Sequence, residues 1–433
     1  MNSEQNLAIL TPALSIKVRA IGRPKILSRV LGGSLIMLLG TGVVSAFNFG
    51  YQVTMARWLG PASFGDISAV GTLLMLGSAI TLSFQLVCAK FVARNTSRMG
   101  KMQVYDRLMQ RAWIVGVVVA LALLLARHAI ATLLRINTAS LIIFLAIAVA
   151  FSVPTGVKRG GLQGLCDFPS LNNNYIIEAV SKTVLAWMLV GLGYGIYGAL
   201  GAMSASVAAA FIVTRVKFPA TAESGACIPA SFREGFQAIL FFVGQVVINN
   251  TDILLVKYFF SPADAGLYAA VALFGRLLYY SSWAIITAMF PVSAAASTDE
   301  KPGRVLLTPL LLVLGMSVAF ILMLALMPHF LVALVFGESF AAADSLLALY
   351  ATATALYSLS VVLMTYEMSR KIANTGWLQL VMAGAIVLSI SVLHQSLRQV
   401  IVIQIVAMTI LLATVSLPFL RKLTKPARLA EVA

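Results

Sequence analysis

The sequence predicts an all-α polytopic membrane protein. About twelve transmembrane helices form two parallel six-helix lobes, related by a pseudo-twofold axis along the membrane normal. Three observations carry this. First, 60% of the 433 residues are hydrophobic and 11% charged, whereas a soluble domain is roughly a quarter charged and under half apolar; the mean hydropathy is +0.94. Second, apolar runs of about 20 residues, the length that crosses a bilayer as a helix, recur along the chain. Third, the two halves carry matching residues at one constant offset. Disorder, a disulfide scaffold and a free cytosolic enzyme are excluded by the same composition.

Residues 1–29 hold Lys17, Arg19, Arg23, Lys25 and Arg29 and read as a basic segment on the cytoplasmic membrane surface. The run after Val30 is too long for a signal-peptide core and lacks a small-x-small cleavage site, so it reads as a retained first span. Apolar runs then fall at 30–53, 67–89, 112–127, 138–156, 173–191 and 196–214, the N-lobe of residues 30–215. A cytoplasmic linker, 216–234, contains Pro219, Gly225 and Pro229. The C-lobe, 235–420, has runs at 235–258, 265–290, 305–327, 342–366, 374–394 and 399–420, and 421–433 is a basic tail. Phe330–Phe336 reads either as the outer end of the tenth span or as a separate interfacial turn.

Orientation follows from the Lys and Arg count on alternate sides. With a cytoplasmic N-terminus, 24 of the 31 basic residues fall in cytoplasmic segments, among them Lys158 and Arg159. The opposite side receives Arg57, Arg127, Arg135, Lys257 and Arg398, and Lys182 and Arg276 fall inside spans. Both termini are therefore expected in the cytoplasm. The +16 net charge is spread over every cytoplasmic loop, with no folded domain to carry a nucleic-acid surface; no nucleic-acid partner is expected. Cys88, Cys166 and Cys227 lack metal-ligand spacing and read as reduced, small apolar filler.

Shifting the chain by 201 residues brings Asn48, Pro61, Ala62, Gly65, Ala69 and Val70 onto Asn249, Pro262, Ala263, Gly266, Ala270 and Val271. Each set runs from the end of the first span of its half, through the same outer turn, to the start of the second. A repeat of six spans is even, so the halves run parallel, an arrangement that encloses a cleft and can rock about it.

Polar groups within the spans are functional candidates, because hydrocarbon penalises them unless paired or wet. Gln245, Asn249 and Asp252 share one helical face, as do Arg276, Tyr280 and Trp283. Counted from the turn at 260–264, Arg276 lies roughly 18 Å deep, Asn249 roughly 16 Å and Asp252 roughly 12 Å. Asp252 and Arg276 fit either a buried pair that fixes packing or a cavity cation with its competing or coupling carboxylate. In the N-lobe, Glu178 and Lys182 stand at i and i+4 in the favourable order for a helical pair. Ser45, Asn48 and Gln52 give span 1 a polar stripe, and Gln85 adds an acceptor in span 2. The uncharged members also fit interhelical hydrogen bonding.

No arrangement for covalent or metal chemistry is present: His128, His329 and His394 are isolated, and Walker A, GxSxG and HExxH sequences are missing. The chain is not expected to be an enzyme or to hold a cofactor. Transport would be driven by an H⁺ or Na⁺ gradient, by the substrate's own gradient or by removal of product.

The stretch Ala56-Arg57-Trp58-Leu59-Gly60-Pro61-Ala62-Ser63-Phe64-Gly65-Asp66 resembles the outer turn of polysaccharide exporters and O-antigen flippases. These belong to the multidrug/oligosaccharidyl-lipid/polysaccharide (MOP) superfamily. Asp252-Ile253-Leu254-Leu255, Ala265-Gly266-Leu267-Tyr268-Ala269-Ala270, Phe290-Pro291 and Phe336-Gly337-Glu338-Ser339-Phe340 extend the likeness over roughly 30–420. The resemblance implies two bundles moving by alternating access in the bacterial cytoplasmic membrane. It implies a substrate glycan on undecaprenyl diphosphate, for polysaccharide or lipopolysaccharide synthesis, with glycosyltransferases and a polymerase as pathway partners besides membrane lipids. The family's cavity cations carry over to Arg276 and Lys182. The two further spans usual in peptidoglycan-precursor flippases are missing here, which argues against that role. The alternatives are a cation-coupled multidrug or small-metabolite exporter of the same superfamily, an integral-membrane glycan polymerase or ligase, and a membrane scaffold. The polymerase reading is disfavoured because no outer loop exceeds about 15 residues.

Overall fold

The computed structural model describes residues 23–218, 227–230, 236–295, 302–370 and 377–424. The expected N-terminal basic segment up to residue 22, most of the linker and the end of the tail lie outside the described residues. Every regular element among the described residues is helical. Among the described residues, nine continuous stretches are long and apolar enough to cross a membrane, and two of them, Gly40–Arg94 and Phe168–Val213, are each long enough for two crossings. With the shorter apolar helix Leu378–Val392, the predicted twelve spans are all present.

The breaks that make two spans of one stretch have local causes. α1 (Arg23–Arg94) is interrupted at Gly60, whose φ of 73° and ψ of 174° leave the helix just before Pro61. A proline has no N–H for the preceding turn and sits readily at a helix start, so span 2 begins there. α2 (Arg98–Leu125) is capped by the Ser97 side chain, which accepts from the Gly100 N–H. A short α3 (Arg127–Leu133) leads to α4 (Leu141–Gly164). α5 (Phe168–Leu189) passes through a π-helical turn, Val190–Tyr194, into α6 (Gly195–Val213). In the second half, α7 (Phe236–Ile248) and α8 (Thr251–Phe259) form one span broken at Asn249–Asn250. α9 (Pro262–Ala295), α10 (Pro302–Leu326), α11 (Pro328–Val335), α12 (Leu347–Arg370), α13 (Leu378–Val392) and α14 (Leu397–Thr424) follow. Phe330–Phe336 is thus a separate helical turn, α11, displaced by 201 residues from α3, so the repeat includes this element.

The chain forms two compact units. One comprises residues up to Ala270 with Ala333–Phe340, the other Val271–Val332 with Ala341 onward. In the first, α4 packs on the second half of α1 through a small-residue stripe. A Cβ on Gly156, Gly160 or Gly164 would lie 2.5, 2.4 and 2.6 Å from the carbonyl oxygens of Thr81, Gln85 and Ala89. Spacing of four on both helices lets the backbones touch along their length, the usual way membrane helices gain packing without a hydrophobic driving force. Phe84, Val87, Cys88 and Phe91 of α1, Val104 and Leu108 of α2, and Val153 and Val157 of α4 form the adjoining core. In the second unit α12 packs on α10 and α14. Tyr279 stacks on Tyr357 with centroids 5.7 Å apart, and the Tyr357 hydroxyl donates to Gln379 Oε1 at 2.6 Å.

The residues that reveal the repeat also meet in space. A Cβ on Gly65 would come within 2.8 Å of the Pro262 carbonyl oxygen, and one on Gly266 within 1.9 Å of that of Pro61. The turn of each half is therefore pressed against its counterpart, both within the first unit. This end of the bundle is called outer, after the charge count.

Candidate functional site

In the first unit a chain of polar side chains crosses the apolar helices α1, α4 and α5. α5 presents Tyr175, Glu178 and Lys182 at spacings of three and four, one face of the helix. Arg159 reaches Glu178 as an ion pair, the two side chains being 12% and 31% exposed. Its Nε donates to Asn174 Oδ1, and its guanidinium lies 4.1 Å from the Tyr175 ring centroid. Gln85 Nε2 donates to Gln163 Oε1 at 3.2 Å and to the Tyr175 hydroxyl at 3.3 Å. Lys182 donates to Asn48 Oδ1, with its amine 4.9 Å from the Tyr51 ring centroid. A guanidinium and an ammonium are thus held one to two helical turns apart. Each keeps donors beyond those used on its partner, so the cluster can receive a polyanion that competes with Glu178.

Two expectations are corrected here. Glu178 pairs with Arg159 of α4 and not with Lys182. The planar guanidinium matches a carboxylate fork, while the Lys182 amine turns toward α1. Arg159 and Lys158 are not loop cations, because α4 continues to Gly164, beyond the end of the apolar run. Lys158 donates to the Phe211 and Thr214 carbonyls at 2.5 and 2.7 Å, closing the C-terminus of α6, where a cation suits the helix dipole.

Gln245 is buried, and Asn249 donates to the Gln245 carbonyl at 2.8 Å, its span breaking at that point rather than continuing as one face. Asp252 is buried and accepts from the Tyr268 hydroxyl at 2.9 Å. Arg276 is half-buried on α9, and Tyr280 is exposed. Glu367, fully buried on α12, belongs to no pattern that the sequence marked.

The buried pair that sequence reasoning missed lies at the outer end. Lys257 Nζ sits 2.5 Å from Asp66 Oδ1, with the side chains 1% and 0% exposed. Asn137 Nδ2 donates to Asp66 Oδ2 at 3.0 Å. Removing one member of such a pair costs about 3–5 kcal/mol, because the other charge is stranded. The charge count puts Lys257 on the outer side because it stands at the end of an apolar run. The one available signal was a lone acid, Asp66, on the matching turn of the other half.

Among the described residues no group of three His, Cys, Asp or Glu side chains could hold a metal ion.

The model of a family described as polysaccharide biosynthesis proteins matches residues 54–345, more than half of the chain. The chain belongs to this family. No curated protein sequence matches it. Among solved structures, the lipid II flippase MurJ in an inward closed conformation aligns with a TM-score of 0.74 at 10% identity, over 89% of this chain and 87% of that one. A MOP superfamily transporter from Pyrococcus furiosus aligns at 0.60 and 15% identity, over 98% and 99%. A MATE transporter of Vibrio cholerae aligns at 0.61 and 13%, over 92% and 97%. The fold is that of the MOP superfamily transporters, a set of flippases and exporters.

Proposed function

We propose that this protein moves a lipid-linked oligosaccharide or polysaccharide precursor, carried on undecaprenyl diphosphate, across the bacterial cytoplasmic membrane by alternating access. Both termini would lie in the cytoplasm, with the two lobes of 30–215 and 235–420 rocking about the linker. The observation that carries this reading is the Arg159–Glu178 and Lys182–Asn48 cluster inside the membrane-spanning bundle. Two adjacent cations in an apolar surround suit a diphosphate, whose two phosphoryl groups need donors on both sides. Tyr175 and the amides Gln85 and Gln163 beside them suit sugar hydroxyls. Glu178 supplies a counter-ion that keeps the empty site near neutrality and offers a place for a coupling proton. Membership of a polysaccharide biosynthesis family supports the glycan, and pathway glycosyltransferases and a polymerase would supply and consume it.

The test is the leaflet distribution of undecaprenyl-linked glycan in cells with and without this chain, read with an impermeant lectin or periodate probe on intact spheroplasts. Deletion should trap the glycan on the inner leaflet. The wild-type chain should restore outer labelling. The double variant Arg159→Ala/Lys182→Ala, inserted at normal levels, should lower it by tenfold or more. An unchanged distribution on deletion would overturn the reading and direct attention to small-molecule efflux.

A further inference from the structure

The outer end of the first unit holds a set of contacts that the transport reading does not use. All join the first half of the repeat to the second, and they do so reciprocally. From the first half, Arg57 at the end of span 1 reaches the last turn of α11. Its guanidinium donates to the carbonyls of Ala333, Leu334 and Val335, at the C-terminus of that helix, where a cation suits the helix dipole. From the second half, Lys257 at the end of span 7 reaches Asp66, which also accepts from Asn137 just beyond α3. Position 57 plus 201 is 258, and α3 plus 201 is α11. The two arms thus start one residue apart in the repeat and each crosses to the opposite half, Arg57 to the carbonyls that end α11 and Lys257 to Asp66, beside the residue that follows α3.

Three further contacts lie between the arms. Gly65 and Gly266 bring the two turns into backbone contact. Arg135 Nη1 lies 3.5 Å from the Phe260 carbonyl oxygen. Phe64 packs on Phe336 and Phe340, with ring centroids 6.2 and 6.0 Å apart.

We propose that these contacts form a two-armed latch that holds the outer end shut. Lys257–Asp66 is its electrostatic arm and Arg57 on the end of α11 its helix-capping arm. The conformation seen is then the one closed on the outer side. A passage to that side opens only when Lys257 leaves Asp66 and Arg57 leaves α11. The chemistry suits a latch better than a permanent brace. A fully buried pair is held by Coulomb attraction in a low-dielectric site, yet both ions regain hydration once water enters. Closed and hydrated-open arrangements can therefore lie close in energy, while the half-open state is penalised.

The inference rests on the MOP transporter fold and on the charge count that defines the outer end, but on no particular substrate. It is tested on the full-length chain in right-side-out vesicles, in a background with Cys88, Cys166 and Cys227 replaced by Ala. Reporter cysteines are introduced one turn inside the seam as Ala69→Cys or Ala270→Cys. These replace buried residues one turn beyond Gly65 and Gly266. A membrane-impermeant maleimide is added outside. The parent should label slowly and Lys257→Met at least tenfold faster. A control reporter, Ala146→Cys, buried on α4 and in none of the seam contacts, should remain protected in both.

Equal rates at position 69 with and without Lys257 would overturn the proposal. So would equal acceleration at position 146, which marks general loosening. If Lys257→Met does not insert, the neutral pair Lys257→Met/Asp66→Leu strands no charge. It should fold and label faster than the parent, and protection equal to the parent would overturn the latch. Because the readout needs no glycan, it can fail while the flippase reading stands, and the reverse.

Discussion

Gly266→Ala is a small substitution with a large expected cost. Alanine is the better helix former, and in an unobstructed helix the change stabilises by about 0.5–1 kcal/mol. Gly266 lies in the first turns of α9, and its added Cβ would stand 1.9 Å from the Pro61 carbonyl oxygen, 2.5 Å from the carbonyl carbon and 2.9 Å from Cα. Ordinary contact begins at about 3.5 Å, so one backbone must retreat by roughly 1.5 Å. No flexible side chain is available to yield. Overpacking of this kind costs about 1–3 kcal/mol and occasionally more, and a backbone obstacle places it at the upper end. Gly65→Ala meets the Pro262 oxygen at 2.8 Å and should cost less. Gly71→Ala, with nothing within 4 Å, should be neutral or stabilising. The three variants thus rank by clearance alone.

The assay is thermal unfolding in detergent micelles with a thiol-reactive fluorogenic dye. It uses a Cys166→Ser/Cys227→Ser background in which buried Cys88 reports opening of the core. The reasoning is refuted if Gly266→Ala melts within about 0.5 kcal/mol of the parent, or if Gly65→Ala or Gly71→Ala is the worse variant.

Lys158→Met, which keeps the stem but removes the donors to Phe211 and Thr214, should cost about 1–2 kcal/mol in the same unfolding measurement. Asn95 binds the Ile228 amide at 2.9 Å and its carbonyl at 3.2 Å. Asn95→Ala should therefore raise hydrogen exchange at the Ile228 amide and cost about 1–3 kcal/mol by leaving buried groups unpaired.

The spans were legible because run length is a local property: twenty apolar residues specify a crossing whatever they pack against. The repeat was legible for a related reason, since Pro61 with Gly65 and Pro262 with Gly266 punctuate each half at the same place. Their direct contact was not, because self-similarity carries no distances. Of the candidate cluster, Lys182, Asn48 and Glu178 were found because they are polar positions within apolar runs, Glu178 also by its i, i+4 spacing to Lys182. Arg159 was missed because hydropathy falls at Gly156, eight residues before α4 ends. Its Pro154-Thr155-Gly156 segment reads as a loop start until the glycine stripe is seen to need a continuing helix. Lys257 failed for a similar reason and a further one: its partner Asp66 is 191 residues away, and no periodicity links charges so far apart. The Tyr268 hydroxyl on Asp252 was not legible either, since a neutral donor is ignored by a charge count.

The two arms at the outer end differ in chemistry although their cations stand only one residue apart under the repeat. Under the 201-residue offset, Lys257 corresponds to Ala56 and Asp66 to Leu267. In a symmetric dimer of a single half, any charge at position 66 would appear twice, as would its partner, and each gain or loss would be doubled at the axis. Joining both copies in one polypeptide frees each position to change alone. One arm can then be an ion pair and the other a guanidinium on a helix end, so their strengths can be set separately. Two unlike halves in one chain thereby let the contacts at this end be tuned in single-residue steps, a freedom that a homodimer of the same architecture lacks.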